Sequence, residues 1–315
     1  MGWRSVVIGN PARLALEDKA LIITQEDKQA RVVLEDISVL VLDHVQITLT
    51  MPLLSACAEA QIAVLTVAAN HLPNGIFLPY HPHSRALKVM SAQLALRQPT
   101  RKRLWQRIVQ HKIANQAAVL MRYAKENEGK RLLVLASEVR SADLDNLEAQ
   151  AAQIYFRALI QPTFGRTQTR FYNAALNYGY AVVRAAIART LVSFGFLPAF
   201  GLFHHSEQNA FNLADDLIEP YRPVVDGEVL GYFPTEPDRD LEPSDKGRLV
   251  SILHSDVALS SHTAQDTRCT LLAAIEASVG GFSSIVINAA PIDHLALPRL
   301  NIKPSVMNNA NIGNE

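Results

Sequence analysis

The chain has 315 residues, 49% hydrophobic and 19% charged, with 30 basic and 30 acidic side chains and a formal net charge of zero. That length holds a sizeable core and two domains, and the composition excludes a disordered, collagen-like or disulfide-built protein. Charge is segregated: residues 85–131 carry twelve Lys and Arg against two Glu, and residues 205–245 carry eleven Asp and Glu against two Arg. Either the basic region serves a polyanion or the two regions pair with one another.

The first eleven residues, Met-Gly-Trp-Arg-Ser-Val-Val-Ile-Gly-Asn-Pro, hold too short an apolar run for a signal peptide. No later stretch approaches the ~20 apolar residues of a membrane helix, so a cytoplasmic protein without membrane contact is expected. Short, often β-branched runs at 6–8, 14–16, 21–24, 31–34, 39–42 and 62–67, separated by turn-prone residues, predict strands. Residues 51–60 interrupt them as a helix with Pro52 in its first turn. Cys57 here and Cys269 far downstream imply neither a disulfide framework nor a zinc site. The Pro-rich stretch His71–His83 reads as a linker whose prolines suit a metal site at His71, His81 and His83 poorly.

Helical periodicity begins at Ser84. Leu87, Met90, Leu94 and Leu96 predict one helix, Pro99-Thr100 breaks it, and a longer one covers 101–127. Arg97, Arg101, Lys102, Arg103, Arg107 and Lys112 straddle that break with Trp105 among them, a composition suited to phosphate contacts or, alternatively, to a solvated face over a core Trp. Residues 141–160 predict the next helix. There Asp145-Asn-Leu-Glu148 reads locally as a capping box, with Glu148 closing the helix start. A helix over 169–194 carries a polar stripe, Asn173, Asn177, Tyr180 and Arg184, which is either a surface face or the wall of a site with Arg184 placed for a phosphate.

The stretch from Gly201 to Pro223 brings His204, His205, Asp215, Asp216 and Glu219 together. It has the composition of a divalent-metal site, and equally that of an acidic turn stopped by Pro220. A Pro- and acid-rich segment over 223–245 follows, then helices over 244–254 and 267–279. The fold predicted is α+β: a small N-terminal β-rich domain (1–70) for dimerisation or partner contact, a linker (71–83), a larger all-helical domain (84–285), and a flexible tail (286–315). No P-loop, dinucleotide fingerprint or Gly-x-Ser-x-Gly elbow is present.

Three motifs in order, Asn173-Ala-Ala-Leu-Asn177-Tyr-Gly-Tyr180, then Gly201-Leu-Phe-His204, then Asp215-Asp216-Leu-Ile-Glu219-Pro-Tyr-Arg222-Pro, closely resemble the CRISPR-associated adaptation integrase. That is the universal first protein of the Cas set, here in its type II form, and the likeness covers residues 1 to about 285. It implies that the helical domain is catalytic and that Glu148, His204 and Glu219 surround a divalent cation, Mg²⁺ or Mn²⁺. His204 rather than His205 fits the Gly-x-x-His motif, and Ala149 stands where a Gly is common. Asp216 becomes a second acidic ligand or an orienter, with Asn177 and Arg184 in support.

The implied reaction is the attack of a DNA 3′-hydroxyl on a phosphate at the border of a CRISPR repeat, inserting captured foreign DNA as a new spacer. It needs no nucleotide cofactor. The implied partners are double-stranded DNA, both spacer precursor and repeat, a second copy of the chain as homodimer, the small second Cas protein and the type II effector nuclease. Two rival readings use the same residues: a metal phosphoesterase for small esters, and a non-catalytic assembly protein.

Overall fold

A computed structural model of the chain describes residues 2–26, 28–68, 73–80, 83–160, 169–234, 239–260 and 267–300. The N-terminal part runs β1 (Arg4–Ile8), β2 (Ala12–Glu17), β3 (Ala20–Gln25), β4 (Lys28–Val33), β5 (Ile37–Leu42), β6 (Ile47–Leu49), α1 (Met51–Glu59), β7 (Ala63–Val67) and β8 (Pro73–Phe77). These strands form two four-stranded sheets, ordered β1-β5-β7-β8 and β4-β3-β2-β6. The β2–β3 hairpin turns on Asp18 and Lys19, both at positive φ, which matches the twist of its strands.

Strand β5, Ile-Ser-Val-Leu-Val-Leu, is buried at every residue because parallel β1 and β7 flank it and both its faces are covered. Leu40 and Leu42 point into a core made with Leu14, Leu21 and Leu53. Val39 and Val41 point the other way, into the core of the helical part. The β8 strand lies within the segment read as a linker and pairs antiparallel with β7, so the sheet extends to Phe77. His71 and His81 fall outside the described residues.

The remainder runs α2 (Ala86–Leu94), α3 (Gln98–Arg122), α4 (Glu126–Glu138), α5 (Leu147–Ile160), α6 (Thr169–Ser193), α7 (Asn212–Ile218), a 3₁₀ turn (Glu219–Tyr221), α8 (Arg222–Tyr232), α9 (Pro243–Ser251), β9 (Asp256–Ser260), β10 (Thr267–Thr270), α10 (Leu271–Asn288) and β11 (Leu297–Arg299). Two helices of 25 residues, α3 and α6, form the frame on which the others pack.

Several expectations change. The helical part is not all-helical: β10, β9 and β11 make a three-stranded antiparallel sheet from runs too short to show alternation. Residues 267–270 are strand, and α10 starts at Leu271, capped by the Thr270 hydroxyl, which accepts from the Ala273 amide. Residues 286–300 are likewise not a tail. They finish α10, turn at Ile292–His294 and add β11, while 301–315 lie outside the described residues. In 223–245 the prolines act as helix starters, not breakers: Pro223 and Pro243 occupy the first turns of α8 and α9. Helix α3 ends at Arg122, with Ala124 left-handed before α4. Helix α2 forms but turns Leu87 and Leu94 outward. It buries Val89 and Gln93, whose amide donates to the Leu197 and Phe200 carbonyls and accepts from the Leu197 amide.

Helix α10 is long and apolar enough by composition to cross a membrane. In the fold Ile275, Val279 and Phe282 are fully buried among the helices.

Candidate active site

The inner side of α3 carries Lys112 and Asn115 into the middle of the helical part. On α5, the Asp143 carboxylate caps the helix, accepting from the Leu147 (2.9 Å) and Glu148 (3.0 Å) amides. Asp145, read as the cap, instead pairs with Arg140. Glu148 is thereby free of any capping duty, and its Oε1 lies 2.5 Å from Lys112 Nζ.

Pro220 cannot continue α7, and the chain tightens into the 3₁₀ turn that begins at Glu219. The Glu219 carboxylate is buried, with Oε2 2.5 Å from Lys112 Nζ and Oε1 accepting from Arg222 Nε at 2.9 Å. Asn115 holds this turn in place. Its amide donates to the Pro220 carbonyl (2.8 Å) and the Pro298 carbonyl (2.9 Å) and accepts from the Leu300 amide (3.0 Å), tying the acidic turn to β11.

The loop before α7 is folded around Asp216, which is fully buried. Its carboxylate accepts the backbone amides of Leu202, Phe203 (3.2 Å) and His204 (3.0 Å), and the His204 imidazole through Nδ1 at 2.8 Å. Gly201 is required by this crowding: a Cβ there would lie 2.3 Å from the His204 carbonyl oxygen and 2.7 Å from Asp216 Oδ2. Phe203 stacks on Trp105 at 4.3 Å, and the same indole meets the His204 ring edge-on at 5.7 Å, so buried Trp105 is core on one side and a wall for His204 on the other. His205 turns away and donates from Nδ1 to the Phe203 carbonyl.

Asn177, Tyr180, Arg184, His204, Asp215 and Arg222 line an open cleft of about 380 Å³. The Arg184 fork is already spent on Asp215 (2.5 and 2.9 Å) and Asn209 (3.0 Å). Tyr180 and Tyr155 both donate to the fully buried Asp226 carboxylate.

The electrostatics follow from these pairings. Burial alone would lower the Lys112 pKa, but the Glu219 and Glu148 carboxylates outweigh it and hold the ammonium above its ordinary value. Burial alone would raise Glu219, and Lys112 with Arg222 hold it below the usual carboxylate range. The hydrogen bond that the imidazole donates to the Asp216 carboxylate raises the His204 pKa against its partial burial.

Of the six basic residues read as DNA contacts, three face inward. Arg101 donates to the Leu96, Gly201 and Gln93 carbonyls, Arg107 to the Leu295 and Asp293 carbonyls, and Lys112 sits between the two glutamates. A helix turns about 100° per residue, so a basic run along the chain is not a basic face. Arg97, Lys102 and Arg103 remain exposed at the start of α3.

Carboxylate oxygens converging on one cation, beside an imidazole whose Nδ1 is fixed by an acid, have the donor chemistry of a hard or borderline divalent ion. Glu148 and Glu219 already meet at a single positive charge, and His204 lines the cleft with Nε2 making no hydrogen bond among the described residues. Among those residues no three His, Cys, Asp or Glu side chains form a ready-made cage. By chemistry the residues fit such an ion. Pattern reading did not find Lys112 in this role, nor Arg222 or Asp226; the one signal was the spacing of Arg222, three residues after Glu219.

A family model described as CRISPR associated protein Cas1 matches residues 6–245. The CRISPR-associated endonuclease Cas1 of Neisseria meningitidis serogroup C (strain 8013) is 45% identical over 287 residues, 90% of this chain and 92% of that protein. Among solved structures, a casposase bound to integration product has a TM-score of 0.74 at 19% identity, covering 96% of this chain and 95% of that one. The Cas6-RT-Cas1–Cas2 complex has a TM-score of 0.69 at 19% identity, covering 93% of this chain and 36% of that one.

Proposed function

The chain belongs to the Cas1 family of CRISPR-associated proteins, and from that membership we propose that it is a metal-dependent DNA integrase and endonuclease that inserts captured DNA into a CRISPR array. Relatives named endonuclease, and a fold neighbour solved with its integration product, support the DNA-processing role. The observation that carries the finer reading is the convergence of Glu148 and Glu219, 71 residues apart in the chain, on the one Lys112 ammonium.

In the proposed reaction the 3′-oxygen of the captured strand bonds to a repeat-border phosphorus. The bond from that phosphorus to the displaced 3′-oxygen breaks, and the proton lost by the attacking hydroxyl is matched by one gained on the leaving oxygen. Mg²⁺ or Mn²⁺ held by Glu148, His204 and Glu219 would polarise the phosphoryl oxygen and stabilise charge on the attacking and leaving oxygens. Asp216 orients His204 by fixing Nδ1, which directs Nε2 to the cleft. Arg97, Lys102 and Arg103, exposed and among the described residues free of contacts of the kind that hold Arg101, give a surface for the DNA backbone. One ester replaces another, so the reaction draws no energy from a nucleotide.

The neighbour solved as a complex with Cas2 supports a small second Cas protein as partner. A homodimer, and contact with a type II effector nuclease, complete the proposed assembly.

The test is joining of a short duplex with free 3′-hydroxyls to a supercoiled array plasmid, in Mn²⁺ or Mg²⁺, with the partner present. Glu148→Gln, His204→Ala and Glu219→Gln should each lower joining by at least about 100-fold with DNA affinity retained, and chelation should stop it. Full activity in any one variant removes that residue from the assignment. Turnover of small phosphodiesters without joining favours the phosphoesterase reading.

A further inference from the structure

Glu148 and Glu219 bring two negative charges into the centre of the helical part, and two fixed positive charges already meet them. Lys112 Nζ touches one oxygen of each glutamate at 2.5 Å, and Arg222 Nε takes the remaining oxygen of Glu219 at 2.9 Å. Neither cation is a loose surface side chain. Lys112 projects from the buried side of α3 with its side chain 12% exposed. Arg222 is held at the start of α8 with its guanidinium 4.8 Å over the Tyr180 ring. The neighbouring acids already have their own partners: Asp215 is bound by Arg184, Asp216 by His204 and three amides, and Asp226 by the Tyr155 and Tyr180 hydroxyls.

We propose that Lys112 and Arg222 are counter-cations that neutralise the catalytic carboxylates, so that the divalent ion binds weakly to the protein alone and strongly only together with a DNA phosphate. This rests on the carboxylate assignment made above. A divalent ion entering a pair of free carboxylates would meet two negative charges. Here it meets a balanced group and must displace the Lys112 ammonium from the oxygens it needs, leaving a surplus of positive charge in a poorly solvated place. A phosphodiester brought to the two glutamates removes that surplus. It accepts the displaced ammonium on a non-bridging oxygen and adds the negative charge that the acids no longer have to give. Metal and DNA affinities are then coupled, and by linkage each strengthens the other by the same factor. Lys112 is a positioning residue for the metal and a specificity element for the occupied complex, which keeps the ion out until DNA is in place.

The test is Mn²⁺ binding to the full chain, read from the resonance signal of free Mn²⁺, with and without a short duplex bearing free 3′-hydroxyls. The wild type should bind Mn²⁺ on the order of tenfold tighter or more when the duplex is present. Lys112→Met should bind Mn²⁺ about tenfold tighter than wild type without DNA, gain little from the duplex, and show a larger rise in melting temperature on adding Mn²⁺. Lys112→Arg, which keeps the charge, should stay weak without DNA.

Wild-type affinity that ignores the duplex, or a folded Lys112→Met that binds no tighter than wild type, overturns the proposal. If Lys112→Met does not fold, Arg222→Met takes its place in the same measurement with the same two outcomes. Glu219→Gln separates the two levels. If adding it to Lys112→Met leaves Mn²⁺ binding unchanged, the carboxylate assignment itself is wrong; if it abolishes binding while Lys112→Met alone fails to tighten it, only the counter-cation proposal falls.

Discussion

Asp226 shows how one side chain beside the site can set the pH response of the whole chain. It is fully buried, accepts the Tyr155 hydroxyl at 2.7 Å and the Tyr180 hydroxyl, and burial pushes its pKa up to about 6. An acid whose folded pKa lies above its unfolded value stabilises the fold below that unfolded value, and the contribution is lost as pH rises through the folded one. Urea titrations should therefore show stability falling between pH 4 and 7 by on the order of 2–3 kcal/mol from this group. Asp226→Asn, which keeps a neutral partner for both hydroxyls, should flatten that slope; an unchanged slope would mean that Asp226 stays ionised throughout. Glu219 and Asp215 act in the opposite sense. Their pKa values are held down by Lys112 with Arg222 and by Arg184, so their contribution is present above the unfolded values and is lost on further acidification.

At the scale of an element, α3 does two jobs with residues of one type. Arg101 clamps three backbone carbonyls, including that of Gly201 at the start of the His204 loop, while Lys102 and Arg103 beside it face solvent. Arg101→Ala should lower the melting temperature and joining activity, leaving the salt dependence of DNA binding unchanged. Lys102→Ala and Arg103→Ala should each lower the slope of log affinity against log salt by about one with no change in melting temperature. Equal salt slopes for all three would return Arg101 to the DNA surface.

The sequence pattern made the N-terminal strands and the long α6 legible, because β-branched runs and a 3.6-residue stripe are local signals. It made Glu148, His204 and Glu219 legible only through motif spacing, since a glutamate in a first helical turn looks like a cap. The Asp143 cap was hidden by left-handed Ala142, Asp143 and Asn146, in a bend with no glycine to announce it. Lys112 was hidden more thoroughly. Its partners lie 36 residues away on α5 and 107 away at the 3₁₀ turn, and a basic run gives no sign of which of its members turns inward.

At the scale of the whole molecule, the sheet built around β5 belongs to two cores at once. Val39, Val41, Ala63 and Leu65 are counted among the buried residues of the helical part. Asp43, just past β5, forms a buried ion pair with Lys246 of α9 at 2.8 Å. The β-rich and helical parts should consequently unfold in a single transition, with near- and far-ultraviolet circular dichroism coincident. Asp43→Asn leaves Lys246 buried without its counter-charge and should shift that one transition by about 3–5 kcal/mol. Two resolved transitions would show that the sheets melt independently.

The Asn115 bridge has a practical consequence for anyone labelling the protein. Because one amide grips both Pro220 and Pro298, an insertion or a bulky dye within residues 297–300 pulls directly on the turn that carries Glu219. The exposed Asp18-Lys19 hairpin tip, held by its own strands, by Arg31 of the neighbouring β4 and by the Leu34 amide just past it, is the safer place for a reporter.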